Sequence, residues 1–196
     1  MRTSPPVNQG TVLSSNDDLL YEVVDNQVVE LTLMGAYEVW LATLLAVRLE
    51  TFAQQHRLGR AVQEMLFNLT RATGQKRRPD VAFVSYDRWP QHRRIPRTEA
   101  WEVIPNLAVE VISRTDSVDH IVDKVAEYFR AGVERVWVVF LSQEQVYTYD
   151  SPTSVRILTR ADELSGDPIL PHFRLPFVEL FDDTEAVEGP HRARPS

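Results

Sequence analysis

A single carboxylate interrupts an otherwise apolar stretch of the chain. Glu110 lies in residues 106–113 (NLAVEVIS), whose composition is that of a strand buried on both faces. A carboxylate without a partner is too costly to keep charged in such surroundings. A proton, a Lys or Arg partner, or a bound cation would compensate Glu110, and each alternative predicts a different site. Because side chains alternate along a strand, Ala108, Glu110 and Ile112 share the face on which that site must lie.

Asp80 could place a second carboxylate beside the first. It follows Pro79 and directly precedes residues 81–84 (VAFV), which are typical of a strand. Mg²⁺ prefers oxygen ligands and usually takes one or two carboxylates together with waters and substrate phosphates. The chain has no cysteine, so oxygen and imidazole are the ligands available for any metal. Two neighbouring carboxylates would therefore favour a hard divalent cation.

Lys124 lies beside the apolar stripe of a helix that follows the Glu110 strand. Its stem can pack on Tyr128, four residues later, while its ammonium group reaches toward Glu110. Three interpretations remain open at this point. Lys124 is a solvent-exposed cation at the edge of the helix, a structural ion-pair partner of Glu110 with no metal, or a lysine that serves a metal site.

A strand, a helix and a second strand must position these residues. Apolar residues at spacings of three and four predict a helix from about residue 118, with Asp116 or Ser117 as its N-cap and Gly132 as its end. Continuous apolar runs flank it at 106–113 and 136–141, which is the order of a parallel crossover unit. The pattern also predicts an N-terminal hairpin (21–24 and 28–33), a helix at 36–56 that ends at Gly59, strands at 62–69 and 81–84, a peripheral hairpin (145–149 and 155–159) and an apolar C-terminal segment at 170–181.

Basic residues are concentrated in one part of an acidic chain. The net charge is −7, but residues 71–97 hold eight basic and two acidic side chains. Such a tract could face a nucleic-acid backbone, and a solvated surface loop is the alternative. We expect the four tryptophans to serve packing, and base stacking is an alternative only for Trp89 and Trp101, at the ends of the Pro- and Arg-rich segment 89–101. The arginines expected to contact phosphates are Arg77, Arg78, Arg93, Arg94 and Arg97.

The composition, 43% apolar and 25% charged, is that of an ordinary globular domain. The lack of cysteine excludes a disulfide scaffold and a cysteine nucleophile, and no run approaches the ~18 apolar residues of a membrane span. The first ten residues have no apolar signal core, so we expect a cytoplasmic protein. We expect one domain over residues 16–185, between a flexible N-terminal arm (1–15) and a loose C-terminal tail (186–196).

The order of these motifs resembles the PD-(D/E)XK nuclease superfamily, and within it the Uma-type family of restriction endonucleases. The resemblance is carried by residues 79–84 (PDVAFV), 107–113 (LAVEVIS), Lys124, Tyr128, 131–133 (AGV) and 136–139 (VWVV). It extends from residues 21–25 (YEVVD) to 170–176 (LPHFRLP), which is most of the chain. It implies an α/β fold with a restriction-endonuclease-like core: a central mixed β-sheet flanked by helices, an N-terminal hairpin and a C-terminal β extension.

The resemblance also implies a metal-dependent endonuclease that hydrolyses phosphodiester bonds of DNA, and a homodimer. Asp80 and Glu110, with the backbone carbonyl of Val111, would hold Mg²⁺ or Mn²⁺. Lys124 would orient the attacking water or stabilise charge on the phosphate. Glu22, on the first strand, would be a third catalytic carboxylate, and an exposed hairpin acid is the alternative.

Two positions depart from the superfamily pattern. Ile112 stands where the usual lysine follows the glutamate by two residues, so Lys124 would take that role from the helix. Tyr37 or Glu38 stands near the position where such sequences often carry a histidine. The alternative function is therefore a catalytically inactive nuclease-fold module that binds nucleic acid or a protein partner.

Overall fold

Twelve strands and four helices make up the part of the chain that the computed structural model describes, residues 20–31, 33–113 and 116–181. In chain order they are β1 (Tyr21–Val24), β2 (Gln27–Glu30), α1 (Ala36–His56), β3 (Gly59–Gln63), β4 (Phe67–Asn68), α2 (Thr70–Thr73), β5 (Lys76–Arg77), β6 (Val81–Ser85), β7 (Leu107–Ile112), α3 (Val118–Ala131), β8 (Arg135–Phe140), β9 (Gln145–Ser151), β10 (Ser154–Leu158), β11 (Glu163–Ser165), β12 (Arg174–Pro176) and α4 (Phe177–Phe181). No helix within these ranges is long and apolar enough to cross a membrane.

The central sheet has six strands in the order β10-β9-β8-β7-β6-β3. Strands β7 and β8 are parallel, and every other neighbouring pair in this sheet is antiparallel. Helix α3 connects the parallel pair, so the expected crossover unit is confirmed. Ser117 is its N-cap, with Oγ accepting the backbone N–H of His120 at 3.2 Å, and Gly132 ends it at φ 100°.

Helix α1 covers one face of the central sheet. Leu41, Leu45 and Leu49 recur every four residues and are fully buried on this face, whereas Val39 and Val47 of the same helix are exposed. Their core partners occupy alternate positions of β6 and β7 and are all apolar: Val81, Phe83, Leu107, Val109 and Val111. Helix α3 covers the opposite face, so the expected mixed sheet flanked by helices is confirmed.

A second sheet, of four strands in the order β2-β1-β5-β4, contains the N-terminal hairpin. Strands β1 and β2 pair as predicted, and Asp25 and Asn26 form their turn with φ of 50° and 61°. Such left-handed values at both central residues are those of a two-residue type I′ turn. Strand β1 also pairs with β5, Val23 opposite Lys76, which brings the hairpin against the segment that leads to Asp80.

Two expectations about residues 57–69 are wrong. Helix α1 ends at Arg57, which takes the left-handed conformation, and Gly59 instead begins β3. A Cβ at Gly59 would lie 2.2 Å from the carbonyl oxygen of Val84, so this close strand pairing needs glycine. The strand expected at 62–69 is split, because Glu64 has a positive φ of 49° and the chain leaves the central sheet before it forms β4 in the second sheet.

The C-terminal part of the described chain completes the fold. Strands β9 and β10 form the expected hairpin, but they extend the central sheet from β8 and are not peripheral to it. Strands β11 and β12 form a small sheet, and α4 packs its Phe177, Leu180 and Phe181 into the core on the α1 side. The expected N-terminal arm (1–15) and C-terminal tail (186–196) lie outside the described residues.

Candidate active site

Asp80 and Glu110 lie at the same end of the central sheet. Strands β6 and β7 are antiparallel with Val81 opposite Val109, so the residue before β6 adjoins the residue after Val109. Strand alternation turns both carboxylates to the α3 side. Oδ2 of Asp80 accepts the backbone N–H of Val111 at 2.5 Å, which ties the start of one strand to the end of the other.

Helix α3 brings Lys124 and Tyr128, one turn apart, to the two oxygens of Glu110. The ammonium Nζ of Lys124 donates to Oε2 of Glu110 at 2.8 Å, and the hydroxyl of Tyr128 donates to Oε1 at 2.6 Å. All three side chains are buried. Lys124 is therefore not the exposed edge cation that was one of its interpretations.

The N-terminal hairpin supplies a second carboxylate to the same lysine. Oε1 of Glu22 lies 3.1 Å from Nζ of Lys124, and its Oε2 lies 2.8 Å from Nη1 of Arg77. Nε of Arg77 in turn donates to Oε2 of Glu127 at 2.7 Å. We call these three acids and two bases the charge cluster: Glu22, Arg77, Glu110, Lys124 and Glu127.

Burial and mutual repulsion determine the protonation of the two sheet carboxylates. Burial and then the carboxylate of Glu110 raise the pKa of Asp80 to about 8, against the opposing effects of Lys124 and the Val111 N–H. Burial also raises the pKa of Glu110, although Lys124 opposes it. In the absence of a metal ion, Asp80 therefore carries a proton at neutral pH.

The groups around Lys124 remain charged. Burial alone would raise the pKa of Glu22, but Lys124, Arg77 and the backbone N–H of Arg78 together hold it below its ordinary value. Burial alone would lower the pKa of Lys124, but Glu110 and Glu22 outweigh it and raise that pKa. Lys124 is thus a fixed positive charge beside Glu110.

A cavity of about 760 Å³ opens onto this arrangement. Asp80, Glu110 and Lys124 line it together, and Ile112 occupies the wall at the position of the usual strand lysine. The segment between β2 and α1 and the first turn of α3, including His120, line the remainder. The cavity therefore exposes the two carboxylates and the lysine to a ligand from outside.

The oxygen donors fit one Mg²⁺ or Mn²⁺. Oδ1 of Asp80 has no hydrogen-bond partner among the described residues, and Glu110 and Val111 line the same cavity as Asp80. No three His, Cys, Asp or Glu side chains in residues 20–31, 33–113 and 116–181 group together as a metal site. Two carboxylates are nevertheless a normal protein contribution to Mg²⁺, which fills its remaining positions with waters and substrate phosphates.

Glu22 lies on the first strand as expected, but it is buried and does not line the cavity. Its side chain is 1% exposed, so the alternative of an exposed hairpin acid is wrong. Its oxygens interact with Lys124, Arg77 and the backbone N–H of Arg78, and it is not among the residues that line the cavity. Glu22 therefore contacts the lysine and not the space in which a substrate would lie.

The expected phosphate-binding arginines do not form one surface. Arg77 is 2% exposed and paired with two glutamates, so the expectation that it contacts a phosphate is wrong. Arg78 does line the cavity. The other three, Arg93, Arg94 and Arg97, do not line it, and their loop leaves β6 at Ser85, the end of the strand opposite Asp80.

The tryptophans of that loop are also not available to bases. Trp89 and Trp101 are 5% and 1% exposed and pack edge to face with ring centroids 5.4 Å apart. The guanidinium of Arg93 covers the Trp89 ring at 3.7 Å. The two rings anchor the loop to the core, so the expectation that they serve packing is confirmed and the alternative of base stacking is excluded.

Sequence reasoning missed three members of the site. The hydroxyl of Tyr128 and the buried pairing of Arg77 with Glu127 were not anticipated. The sequence did indicate that Tyr128 lies near Glu110, because Tyr128 follows Lys124 by four residues and hence lies on the same side of α3. Arg77 and Glu127 are separated by 50 residues, and nothing in their local sequence indicates that they meet.

The central mixed sheet thus presents two carboxylates and a lysine to one cavity at the end of its strands. The chain belongs to the Uma2 family, whose model is described as "Putative restriction endonuclease" and matches residues 10–178. The crystal structure of a putative nuclease belonging to DUF820 from Anabaena variabilis ATCC 29413 is similar, with a TM-score of 0.71 and 13% sequence identity over 82% of this chain and 89% of that one. The resemblance seen in the sequence is therefore confirmed. The search of curated proteins found no match.

Proposed function

We propose that the protein is a divalent-metal-dependent endonuclease that hydrolyses phosphodiester bonds of DNA. The observation that carries the proposal is the contact of Lys124 with Glu110, 2.8 Å from Nζ to Oε2, in a cavity that Asp80 also lines. A helix thereby supplies the lysine that Ile112 does not provide. The membership of a nuclease family supports the reaction class.

Each residue has a distinct role in this proposal. Asp80, Glu110 and the carbonyl of Val111 hold Mg²⁺ or Mn²⁺. The bound ion supplies a Lewis acid that polarises a phosphoryl oxygen and activates water for attack. Lys124 directs a fixed N–H donor at the attacking water or at the charge that grows on the phosphate. Tyr128 holds the Glu110 carboxylate in place by its hydrogen bond.

Glu22 and Arg78 act next to these groups. Glu22 positions Lys124, because its Oε1 lies 3.1 Å from the ammonium group that also contacts Glu110. Arg78 lines the cavity and is the arginine of the basic tract that we expect to meet the phosphate beside the reacting one. DNA as the substrate and a homodimer as the assembly are further parts of the proposal and rest on the family resemblance.

A second candidate function is a nuclease-fold module that binds nucleic acid or a protein without cleavage. One observation favours it: Lys124 and Tyr128 already contact both oxygens of Glu110, as in a structural ion pair. Such a module would keep its DNA affinity after Asp80→Ala. A nuclease would lose its metal-dependent activity with that substitution.

Nicking of supercoiled plasmid in Mg²⁺ or Mn²⁺ tests the proposal. The wild-type protein should nick the plasmid, and EDTA or Asp80→Asn should abolish the activity. Asp123→Asn is the matched control, since Asp123 is exposed on the same helix as Lys124 and does not line the cavity. Equal nicking by wild type and Asp80→Asn, or no nicking of any DNA substrate by wild type, would contradict the proposal.

A further inference from the structure

Two partly exposed aromatic rings stack on each other, and one of them lines the cavity. Tyr37 and Trp40, in the first turns of α1, stack with ring centroids 5.6 Å apart and planes 16° from parallel. They are 38% and 40% exposed, whereas Trp89, Trp101 and Trp137 are buried. Tyr37 lines the cavity directly. Large stacked rings that are partly exposed beside a site offer a flat apolar surface to a ligand.

The wall next to these rings is apolar. It is formed by the β2–α1 segment, the end of β7 and the first turn of α3, and it includes Val29, Leu33, Met34, Ile112 and Ile121. A phosphate has no favourable contact with such a wall. A nucleobase does, because every base has an apolar π-face that stacks on aromatic rings regardless of sequence.

The charges of the cavity argue in the same direction. A double helix carries one negative charge per about 1.7 Å of its axis and each strand alone one per about 3.4 Å, so a duplex would bring about twice as many phosphates toward the cavity as a single strand. An unpaired nucleotide brings one base to the apolar wall and one phosphate to the lysine and the metal ligands. The carboxylates of the lining outnumber its cations: Glu30, Glu38, Asp80, Glu110 and Asp116 against Arg78 and Lys124.

We propose that Tyr37 and Trp40 form a stacking site for an unpaired base next to the phosphate that is cut, so that the substrate is a single strand or a locally unpaired strand. The inference rests on the proposed nuclease function, which it makes more specific. The cavity volume of about 760 Å³ lies within the usual range for sites that bind small molecules and nucleotides. Tyr37 and Lys124 line the same cavity, which places the base site beside the proposed metal ligands.

Binding and cleavage measured separately test the inference. Binding of a labelled single-stranded oligonucleotide and of the duplex of the same sequence is measured by anisotropy with Ca²⁺ in place of Mg²⁺. We expect the single strand to bind more tightly than the duplex and to quench tryptophan emission, since Trp40 is the exposed tryptophan of the four. Trp40→Leu should weaken single-strand binding about tenfold, and Trp40→Phe, which keeps a ring, should retain most of it.

Val47→Ala is the control, because Val47 is exposed on the same side of α1, roughly 10 Å farther along the axis. It should leave both affinities unchanged. Unaltered single-strand binding by Trp40→Leu, or tighter binding of the duplex with equal quenching, would overturn the inference. So would a change of oligomeric state in Trp40→Leu with unchanged oligonucleotide binding, because the rings would then belong to a protein contact.

The outcomes separate this inference from the function on which it rests. One outcome is cleavage in Mg²⁺ that requires Asp80 and yet is unaffected by Trp40→Leu on every substrate. That result would contradict the stacking site and support the nuclease function. Trp40-dependent binding of single strands with no cleavage would support the stacking site and remove the nuclease. Trp40-dependent binding together with Asp80-dependent cleavage of single strands would support both.

Discussion

The two faces of strand β7 are built from different chemistry. Leu107, Val109 and Val111 point to helix α1 and meet only apolar side chains there. Glu110, on the other face, meets Lys124 and Tyr128 from helix α3. Both faces are buried to a similar degree, so burial alone does not explain why one of them carries charges.

The difference supports the proposed metal site on the α3 face. Replacing a buried ion pair with apolar residues of similar volume is often neutral or stabilising, so the charge cluster is weak evidence for stability. The α1 face of the sheet is covered largely by apolar residues. On the α3 face, Glu110 and Lys124 of the charge cluster line the cavity, as the proposed site requires.

The largest expected effect is that of breaking the charge cluster at its centre. Lys124→Met leaves Glu110 and Glu22 without their shared cation, and stranding a buried charge costs about 3 to 5 kcal/mol of unfolding free energy. Urea unfolding measures the loss. Lys76→Met is the matched control, because Lys76 makes an ion pair of the same 2.8 Å length with Glu99 at a more exposed place and should change stability by less than about 1 kcal/mol. Equal losses of unfolding free energy in the two variants would show that the buried ion pairs of Lys124 contribute no more to stability than the exposed pair of Lys76.

The next effect is a pH dependence that the apolar face cannot produce. The pKa of Asp80 is about 8 in the folded protein against an ordinary value of 3.8, so the folded state binds the proton more tightly. The stability gained from that proton is complete below the ordinary value and is lost as the pH rises through about 8. Asp80→Asn mimics the protonated acid and does not titrate. In EDTA, its unfolding free energy relative to that of wild type should therefore rise by about 2 to 4 kcal/mol from about pH 5 to pH 9. A pH-independent difference between the two proteins in urea unfolding would contradict this protonation.

The smallest expected effect isolates one hydrogen bond of the site. Tyr128→Phe removes the 2.6 Å bond to Oε1 of Glu110, and a bond to a charged group contributes about 1.5 to 3 kcal/mol. Thermal unfolding at neutral pH measures the change. The control is Tyr149→Phe on strand β9, next to the edge strand β10, where the loss of the hydroxyl should have almost no effect. A Tyr128→Phe protein as stable as the control would mean that the hydroxyl does not hold Glu110.

The parts of the fold that follow local rules were predictable from the sequence. The β7–α3–β8 unit has continuous apolar strands, a single apolar helix stripe, and a serine and a glycine at the helix ends, and each signal indicates the same element. The prediction of one strand at 62–69 was wrong because Glu64 adopts a left-handed backbone conformation, which a glutamate in the sequence does not predict. The Lys124–Glu110 contact could be anticipated because only 14 residues and one crossover separate its partners.

The parts that depend on distant pairing were not predictable. Arg77 reads as one of several surface arginines, and only the pairing of β1 with β5 shows that it is buried against Glu22, 55 residues away. The exposure of Tyr37 and Trp40 was also not predictable. The apolar spacing of α1 does not indicate which of its aromatic residues the sheet covers. Local sequence thus indicated the candidate carboxylates and the lysine, and the long-range packing determined their neighbours.

Binding of Mn²⁺ is the most direct test of the proposed metal site at Asp80 and Glu110. Electron paramagnetic resonance measures it for wild type, Asp80→Asn, Glu110→Gln and the control Asp123→Asn. We expect wild type and Asp123→Asn to bind the ion with equal affinity, and both site variants to lose most of that affinity. If wild type binds no Mn²⁺, or if Asp80→Asn and Glu110→Gln bind it as wild type does, the two carboxylates on the α3 face do not form a metal site. The Lys124–Glu110 contact would then be a structural ion pair.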